Sequence, residues 1–471
     1  MKEPYKVPID QAQLFLDDDL IQEADNVTRV WHRLEKHPAN PLILRSEPEE
    51  NLFLFGTVIN DLDPLVDDEV YRMWYFARGQ GSEWVAYARS RDGLRWEKPD
   101  LRDDTQREEL PRNAVLKPEG WRLLGLSGVV RDRSAGNGRS YKLMIPAADR
   151  RTKEKTYLMA ESEDGYDWNL VSTFTPERPS NPDRACFTWD PHRQLYALYN
   201  RYRYGDPDLR ERGGPAYWGR AIALCTSRDF REWSSPELVL HAETDEPDGT
   251  ELYGMGAYPY AGQWVGLVQV HRSLPHLAYI DLAIAHSRDG QKWDREPDLV
   301  LPRGGVGEWD RFNQCASTQL VREGDEIRVY YSGRLYRHGE YSKFTDLGDS
   351  GPKQVGIGLA TIRLDGWCSM EASFDGGCIT TVPLQLPTGG EMYLNAASEW
   401  GEIMVEILDA EGQSILRSEP ATSDSVRLPV IWPDRGGWHA LNVEPVRIRF
   451  ALKNAKLFSW SVLRANPTAK R

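Results

Sequence analysis

Four copies of one seven-residue pattern punctuate the first two thirds of this chain: Ser90-Arg-Asp-Gly-Leu-Arg-Trp96, Ser162-Glu-Asp-Gly-Tyr-Asp-Trp168, Ser227-Arg-Asp-Phe-Arg-Glu-Trp233 and Ser287-Arg-Asp-Gly-Gln-Lys-Trp293. A degraded fifth copy, Arg363-Leu-Asp-Gly-Trp367, follows. The aspartates Asp92, Asp164, Asp229, Asp289 and Asp365 stand 72, 65, 60 and 76 residues apart, somewhat above the spacing of the common propeller repeats. A repeat of this kind marks supersecondary units that bury their apolar faces only against one another.

Each copy closes the same run of strands. Directly ahead of it lies a segment of small and apolar residues, at Trp84 to Arg89, Thr156 to Ala160, Arg220 to Thr226, Ile280 to His286 and Val355 to Ile362. Ahead of that comes an aromatic-rich segment, such as Tyr71-Arg-Met-Trp-Tyr-Phe76 or Ile327-Arg-Val-Tyr-Tyr331. A further apolar run opens each unit, at Leu54 to Ile59, Leu126 to Val130, Ala185 to Trp189, Gly254 to Tyr258 and Ala316 to Val321. Turn residues separate the runs. The unit is therefore three strands, a Ser-x-Asp-x-x-x-Trp turn and an outer fourth strand. Five units predict an all-β, five-bladed β-propeller. In it Ser and Asp cap backbone N–H groups of the turn, Gly supplies a positive φ, and Trp fills the gap between blades. The repeats thus build the scaffold and carry no chemistry.

Five blades of about 65 residues leave about 100 over. From Phe374 onward the texture changes to short alternating strands, among them Glu391–Asn395, Ile403–Leu408, Val426–Ile431, Val446–Phe450 and Leu457–Val462. Without a helix signal these predict a C-terminal β-sandwich, so the domains are 1–370 (propeller) and 371–471 (sandwich). The segment from Asp17-Asp-Asp19 to Leu44 is expected to close the ring against the last blade, its acidic run forming a solvated turn.

The net charge of −14 excludes nucleic acid or an anionic membrane as a partner held by bulk attraction. No apolar stretch is long enough to span a membrane. The start of the chain lacks the apolar core of a secretion signal. Cys186, Cys225, Cys315, Cys368 and Cys378 show no CxxC or zinc spacing. Free thiols and a cytoplasmic location are the expectation, with no metal site and no cofactor motif.

Turns of this pattern, strands like Tyr-Arg-Met-Trp-Tyr-Phe, the opening Gln13-Leu-Phe-Leu-Asp-Asp18 and the closing Leu452-Lys-Asn-Ala-Lys-Leu457 together resemble the invertase/levanase and arabinanase superfamily of glycoside hydrolases. The likeness is to the bacterial proteins grouped with invertase-like N-terminal domains in particular, and it covers nearly the whole chain. It implies an exo-acting glycosidase that removes a terminal furanose (fructose, arabinose or galactofuranose), with an oligosaccharide or glycoside as its partner. A structural calcium is implied by the resemblance alone. The chain also departs from that pattern. Counting back from Gly56 puts Phe53 where invertases carry their nucleophile aspartate. Asn60-Asp61-Leu-Asp63 and Arg131-Asp132 imitate family motifs but end their strands, which makes them hairpin residues.

Glycoside cleavage needs one carboxylic acid to protonate the leaving oxygen and one carboxylate to attack or to activate water. In a propeller the place for them is the mouth of the central funnel, where first strands begin. Acids there are Glu50 in blade one, Asp183 in blade three, Glu251 in blade four and Asp310 in blade five, with Gln314 as a substitute for Asp310. Glu251, beside Tyr253 and Met255, is expected to have a raised pKa and to serve as the general acid, with Asp183 or Asp310 as nucleophile or base. Arg78, Arg150, Arg201, His271, Arg272, Arg334 and His338 gather where second strands end at the funnel. They fit an acidic substrate, a phosphorolytic enzyme resembling the mannoside phosphorylases, or counterions for the acids. The other class of function is a non-catalytic sugar-binding propeller. An arrangement in which each acid is neutralised by its own arginine would favour it.

Overall fold

The computed structural model describes residues 3–46, 49, 51–102, 111–132, 140–177, 180–204, 219–243, 246–247, 249–273, 278–338, 355–433, 437–441 and 445–464. The chain forms two compact units, one of residues 34–321 and 328–361, the other of residues 1–33, 322–327 and 362–471. All regular structure among the described residues is strand, apart from a 3-10 turn at Gly437–Ala440.

The larger unit is a succession of five antiparallel meanders. The first comprises Asn51–Asp63, Asp68–Gly79, Ser82–Ser90 and Ala114–Leu116. The second runs through Gly128–Arg131, Tyr141–Asp149, Lys155–Ser162 and Asn169–Phe174, and the third through Ser180–Asp190, Leu195–Tyr204, Gly219–Ser227 and Glu237–Leu240. The fourth is Thr250–Tyr260, Gln263–Arg272, Tyr279–Ser287 and Asp294–Leu301. The fifth takes Asn313–Ala316, Glu326–Arg334 and Val355–Arg363, and completes itself with Glu35–Lys36 and Ile43–Leu44 from early in the chain. The opening strands touch in cyclic order. Val129 N donates to Thr57 Oγ1 at 2.7 Å, Phe187 N to Ser127 O at 2.7 Å and Ala257 N to Cys186 Sγ at 3.5 Å. The Tyr258 hydroxyl donates to Ser317 O at 2.6 Å, and Thr318 N closes the circle on Gly56 O at 2.9 Å. The all-β propeller architecture that the repeats predict is thus present.

The repeated turns do what their residues dictate, and more. In each, the serine hydroxyl accepts from the N–H three residues on, at 2.8–3.0 Å. The aspartate Oδ1 accepts from the N–H groups two and three residues on, at 2.8–2.9 Å. Backbone donors hold Asp229 below the usual carboxylate range, and for Asp92, Asp164 and Asp289 they do so against burial, which acts the other way. The glycine has a second duty: its carbonyl receives a side chain from the preceding meander. Tyr330 OH reaches Gly93 O at 2.9 Å, Trp74 Nε1 reaches Gly165 O at 2.8 Å and Tyr199 OH reaches Gly290 O at 2.8 Å. A Cβ on Gly290 would stand 2.7 Å from that Tyr199 oxygen, so close approach as well as φ requires glycine there.

Two expectations are corrected. The opening run of the fifth unit, expected at Ala316 to Val321, is paired at Asn313–Ala316, because Ser317 and Thr318 turn aside to bond the fourth and first meanders. Residues 1–33 do not close the ring. They pair within the smaller unit, where Gln11–Leu14 lies beside Ala455–Leu463, Thr28–Trp31 beside Cys368–Ala372 and Ile21–Asp25 beside Gly377–Thr381. Only the stretch from Leu34 to Leu44 serves the last meander.

The smaller unit is a sandwich of a six-stranded and a five-stranded antiparallel sheet. Alternation puts Leu394, Trp460 and Val462 of one sheet and Ile403, Val405, Ile407 and Phe450 of the other into its core. Asp17–Asp19 forms a turn in which Asp19 N donates to Asp17 Oδ1 at 3.0 Å, and Asp18 pairs with Arg29. Among the described residues the five cysteines are free, and all but Cys378 are buried. Among the described residues no helix is long and apolar enough to cross a membrane.

Candidate functional site

The end of the ring where opening strands begin holds a cavity of about 200 Å³. One wall is aromatic. Extended backbone sends alternate side chains to one face, so Asn51, Phe53 and Phe55 enter the cavity together. Phe53 stacks on Phe55 with ring centroids 5.1 Å apart and on Phe76 at 6.0 Å. The position that carries a nucleophile aspartate in the invertase pattern thus does face the cavity, with a phenyl ring on it.

Register breaks aim the other walls. The ladders slip between Phe53 and Thr57, between Ser180 and Ala185, and between Leu252 and Gly254, all at the cavity end of opening strands. Such bulges bend a strand and redirect a side chain. The second delivers Asp183 to the wall and the third delivers Tyr253. Asp183 Oδ2 accepts from Arg201 Nη1 at 2.7 Å, while about 29% of its side chain stays accessible. The Arg201 guanidinium lies over the Tyr253 ring, 4.2 Å from its centroid.

A second carboxylate in the wall is Glu83, at the start of the third strand of meander one. It faces three guanidiniums: Arg150 Nη2 at 3.0 Å, Arg78 Nε at 3.8 Å and Arg122 Nε at 4.0 Å. Glu83 was missed in the sequence, although a signal existed. Arg78-Gly-Gln-Gly-Ser-Glu83 is a two-residue hairpin, so Glu83 is the cross-strand partner of the funnel residue Arg78.

Glu251 does not match its expected role. Its side chain is buried, and Oε2 accepts from His271 Nδ1 at 3.1 Å and from Arg220, the first residue of its run. Burial alone would raise its pKa. The His271 hydrogen bond and the Arg220 charge outweigh that and hold the carboxyl below its ordinary value. A carboxylate so held anchors the Arg220 guanidinium and the His271 imidazole and is not a proton donor at neutral pH. Glu251→Gln should therefore cost about 2 kcal/mol of stability at pH 7, as Arg220 and His271 lose their shared anion. A depressed pKa stabilises above the unfolded value of about 4.3 and is lost as pH falls through the folded one. The gap between the variant and wild type in urea unfolding should accordingly close in acid. Equal midpoints at pH 7 would remove Glu251 from any structural role.

Asp310 is not brought to the cavity. Gly304 and Gly333 have no side chains to exclude it, so it packs under the fifth meander. There it bonds Lys36 Nζ at 2.7 Å and the Tyr331 hydroxyl at 2.9 Å. Gln314 is turned the same way, donating to Pro302 O at 3.0 Å. Glu50 lies outside the described residues; its neighbour Glu49 is buried against the Tyr75 hydroxyl at 2.7 Å and Lys98. Of the basic candidates, Arg78 and Arg334 line the cavity, and Arg201 and Arg150 hold its two acids. Arg272 is spent on Thr250 Oγ1 across its own hairpin. His271 and His338 stack edge to face with centroids 4.7 Å apart, and His338 Nε2 meets the Tyr253 hydroxyl at 3.1 Å. No group of three or more His, Cys, Asp or Glu among the described residues is arranged to hold a metal, so the donor set does not fit a calcium ion.

No family model and no curated protein sequence matches the chain. Solved structures similar to it include an N-acetylgalactosamine deacetylase from F. plautii in complex with blood group B trisaccharide, 14% identical over 73% of this chain and 96% of that one with a TM-score of 0.46. A β-1,2-mannobiose phosphorylase from Listeria innocua is 12% identical over 71% and 98%, with a TM-score of 0.44. A glycosyl hydrolase from Bacteroides ovatus is 14% identical over 70% and 94%, with a TM-score of 0.39.

Proposed function

We propose that this protein cleaves the bond to a terminal sugar held in the central cavity, with Asp183 and Glu83 as the reacting carboxyls. The reading stands on the cavity, since likenesses as distant as those above bear on no chemistry. One observation carries it: Asp183 is fastened by Arg201 through Oδ2 and keeps part of its carboxyl accessible in a pocket with an aromatic wall. A volume of about 200 Å³ takes one sugar ring, which fits removal of a terminal unit. Aromatic faces cover the apolar faces of such a ring, and polar groups between them fix its hydroxyls. The furanose form is the one that the sequence resemblance implies.

The competing reading, a propeller that binds sugar without cleaving it, has its own support. Asp183, Glu251, Glu83 and Asp310 each face a cation. A release assay separates the two. Purified protein should free a single sugar from aryl glycosides of furanose or pyranose form, or from natural oligosaccharides, without added phosphate. Release only with phosphate would make the enzyme a phosphorylase in place of a hydrolase. Saturable sugar binding with no release across the panel would sink cleavage and leave the binding protein.

A further inference from the structure

We infer that the cavity recognises a sugar bearing a carboxylate, a uronic acid, through the guanidinium of Arg334. This deepens the reading of the cavity as a sugar site and rests on it. Arg334 lines the cavity but, among the described residues, forms no ion pair. Its guanidinium carbon instead lies over aromatic rings, 3.6 Å from the Phe53 centroid and 5.9 Å from that of Phe55. A guanidinium held over an aromatic ring makes no ion pair there and retains N–H donors for a ligand, and the planar fork matches a carboxylate.

Two guanidiniums behind the Asp183 and Tyr253 wall also leave donors unmade. Arg201 Nε and Nη2 and Arg220 Nε are buried without a hydrogen-bond partner among the described residues, although both side chains are held in position by Asp183 and Glu251. Buried N–H groups of this kind cost free energy unless something accepts from them. Both guanidiniums lie on the Tyr253 ring, with centroid distances of 4.2 and 5.4 Å. His338 sits among them, and burial followed by the charges on His271, Arg334, Arg220 and Arg201 lowers its pKa to about 3. The imidazole is thus neutral and adds no charge.

The local charge favours an anionic ligand. Arg78, Arg122, Arg150, Arg201, Arg220 and Arg334 stand against Glu83, Asp183 and Glu251, so positive charge exceeds negative around the cavity. A carboxylate offsets part of that excess and matches the planar guanidinium fork. The sugar's acidic group then meets Arg334, which Phe53 backs.

Equilibrium binding tests this independently of cleavage. D-glucuronate and D-galacturonate, titrated against the protein at fixed ionic strength, should bind at least about tenfold more tightly than glucose and galactose. Arg334→Met, which keeps contact with Phe53, should abolish that preference, and Arg334→Lys should restore only part of it, with thermal melting showing that both variants are folded. Equal binding of uronates and neutral sugars, or a preference that survives in Arg334→Met, overturns the inference. Inorganic phosphate bound in the same place more tightly than uronate overturns it in favour of a phosphate site. A protein that prefers uronates yet releases no sugar would defeat the cleavage reading alone, and one that cleaves neutral glycosides without that preference would defeat only this one.

Discussion

Asp183→Asn should lower kcat/KM by about 10²- to 10⁴-fold on any glycoside that the wild-type protein cleaves, the range over which a positioned acid, base or carboxylate nucleophile contributes. The amide keeps an acceptor for Arg201 Nη1, so the 2.7 Å contact survives in form. Its charge does not. Arg201 is only 4% exposed, and its loss of an anion should cost about 1–2 kcal/mol of stability. Activity and stability therefore move by very different amounts, and that difference identifies the role. A loss below tenfold in kcat/KM would remove Asp183 from the chemistry. A similar loss in Glu83→Gln is needed if two carboxyls share the work, and its absence would leave Glu83 as a counterion for Arg78, Arg122 and Arg150.

Arg72→Met should destabilise the larger unit by about 3–5 kcal/mol, the range found when one partner of a buried charge network is removed. Arg72 is fully buried at the end of the ring opposite the cavity. Its guanidinium donates to the Tyr87 hydroxyl at 3.0 Å, the Tyr141 hydroxyl at 2.8 Å, Leu62 O at 3.2 Å and Asp164 O at 2.5 Å. Those tyrosines in turn serve carboxylates: Tyr141 bonds Asp61 at 2.8 Å and Tyr87 bonds Asp63 at 3.2 Å. Tyr166, from the second meander, bonds Asp63 at 2.6 Å. One side chain thus ties the first two meanders together and balances buried acids. Methionine fills its volume and does none of this. Arg72→Lys restores the charge without the fork and should recover less than half of the loss. The urea midpoint of the first unfolding transition reads the effect, and a shift worth under 1 kcal/mol would show the network to be dispensable.

The same network explains why Asn60-Asp61-Leu-Asp63 reads like a catalytic motif and is not one. Its aspartates sit at the far end of a 13-residue strand, where they are buried among tyrosine hydroxyls and Arg131. The strand's phase and its distance from Gly56 are visible in the sequence, and they place these residues away from the funnel. Glu251 shows the opposite case. Its position at the start of an opening strand is legible, but its charge state depends on Arg220, which lies 31 positions earlier. Composition around a residue does not reveal a cation delivered by another strand.

What the sequence determined by itself is whatever a local pattern can encode. The turn repeat set the unit, because Ser, Asp and Gly satisfy their own backbone within seven residues. Alternation set the strands and the sandwich, because side chains on extended backbone alternate between faces. The tertiary structure alone decided which acids meet in the cavity. Bulges at Ser180–Ala185 and Leu252–Gly254 aim Asp183 and Tyr253, and the glycines at 304 and 333 let Asp310 sink away. It also decided that the first 33 residues belong with the sandwich, since strand pairing across hundreds of positions depends on which edge is left open and leaves no mark in the local sequence.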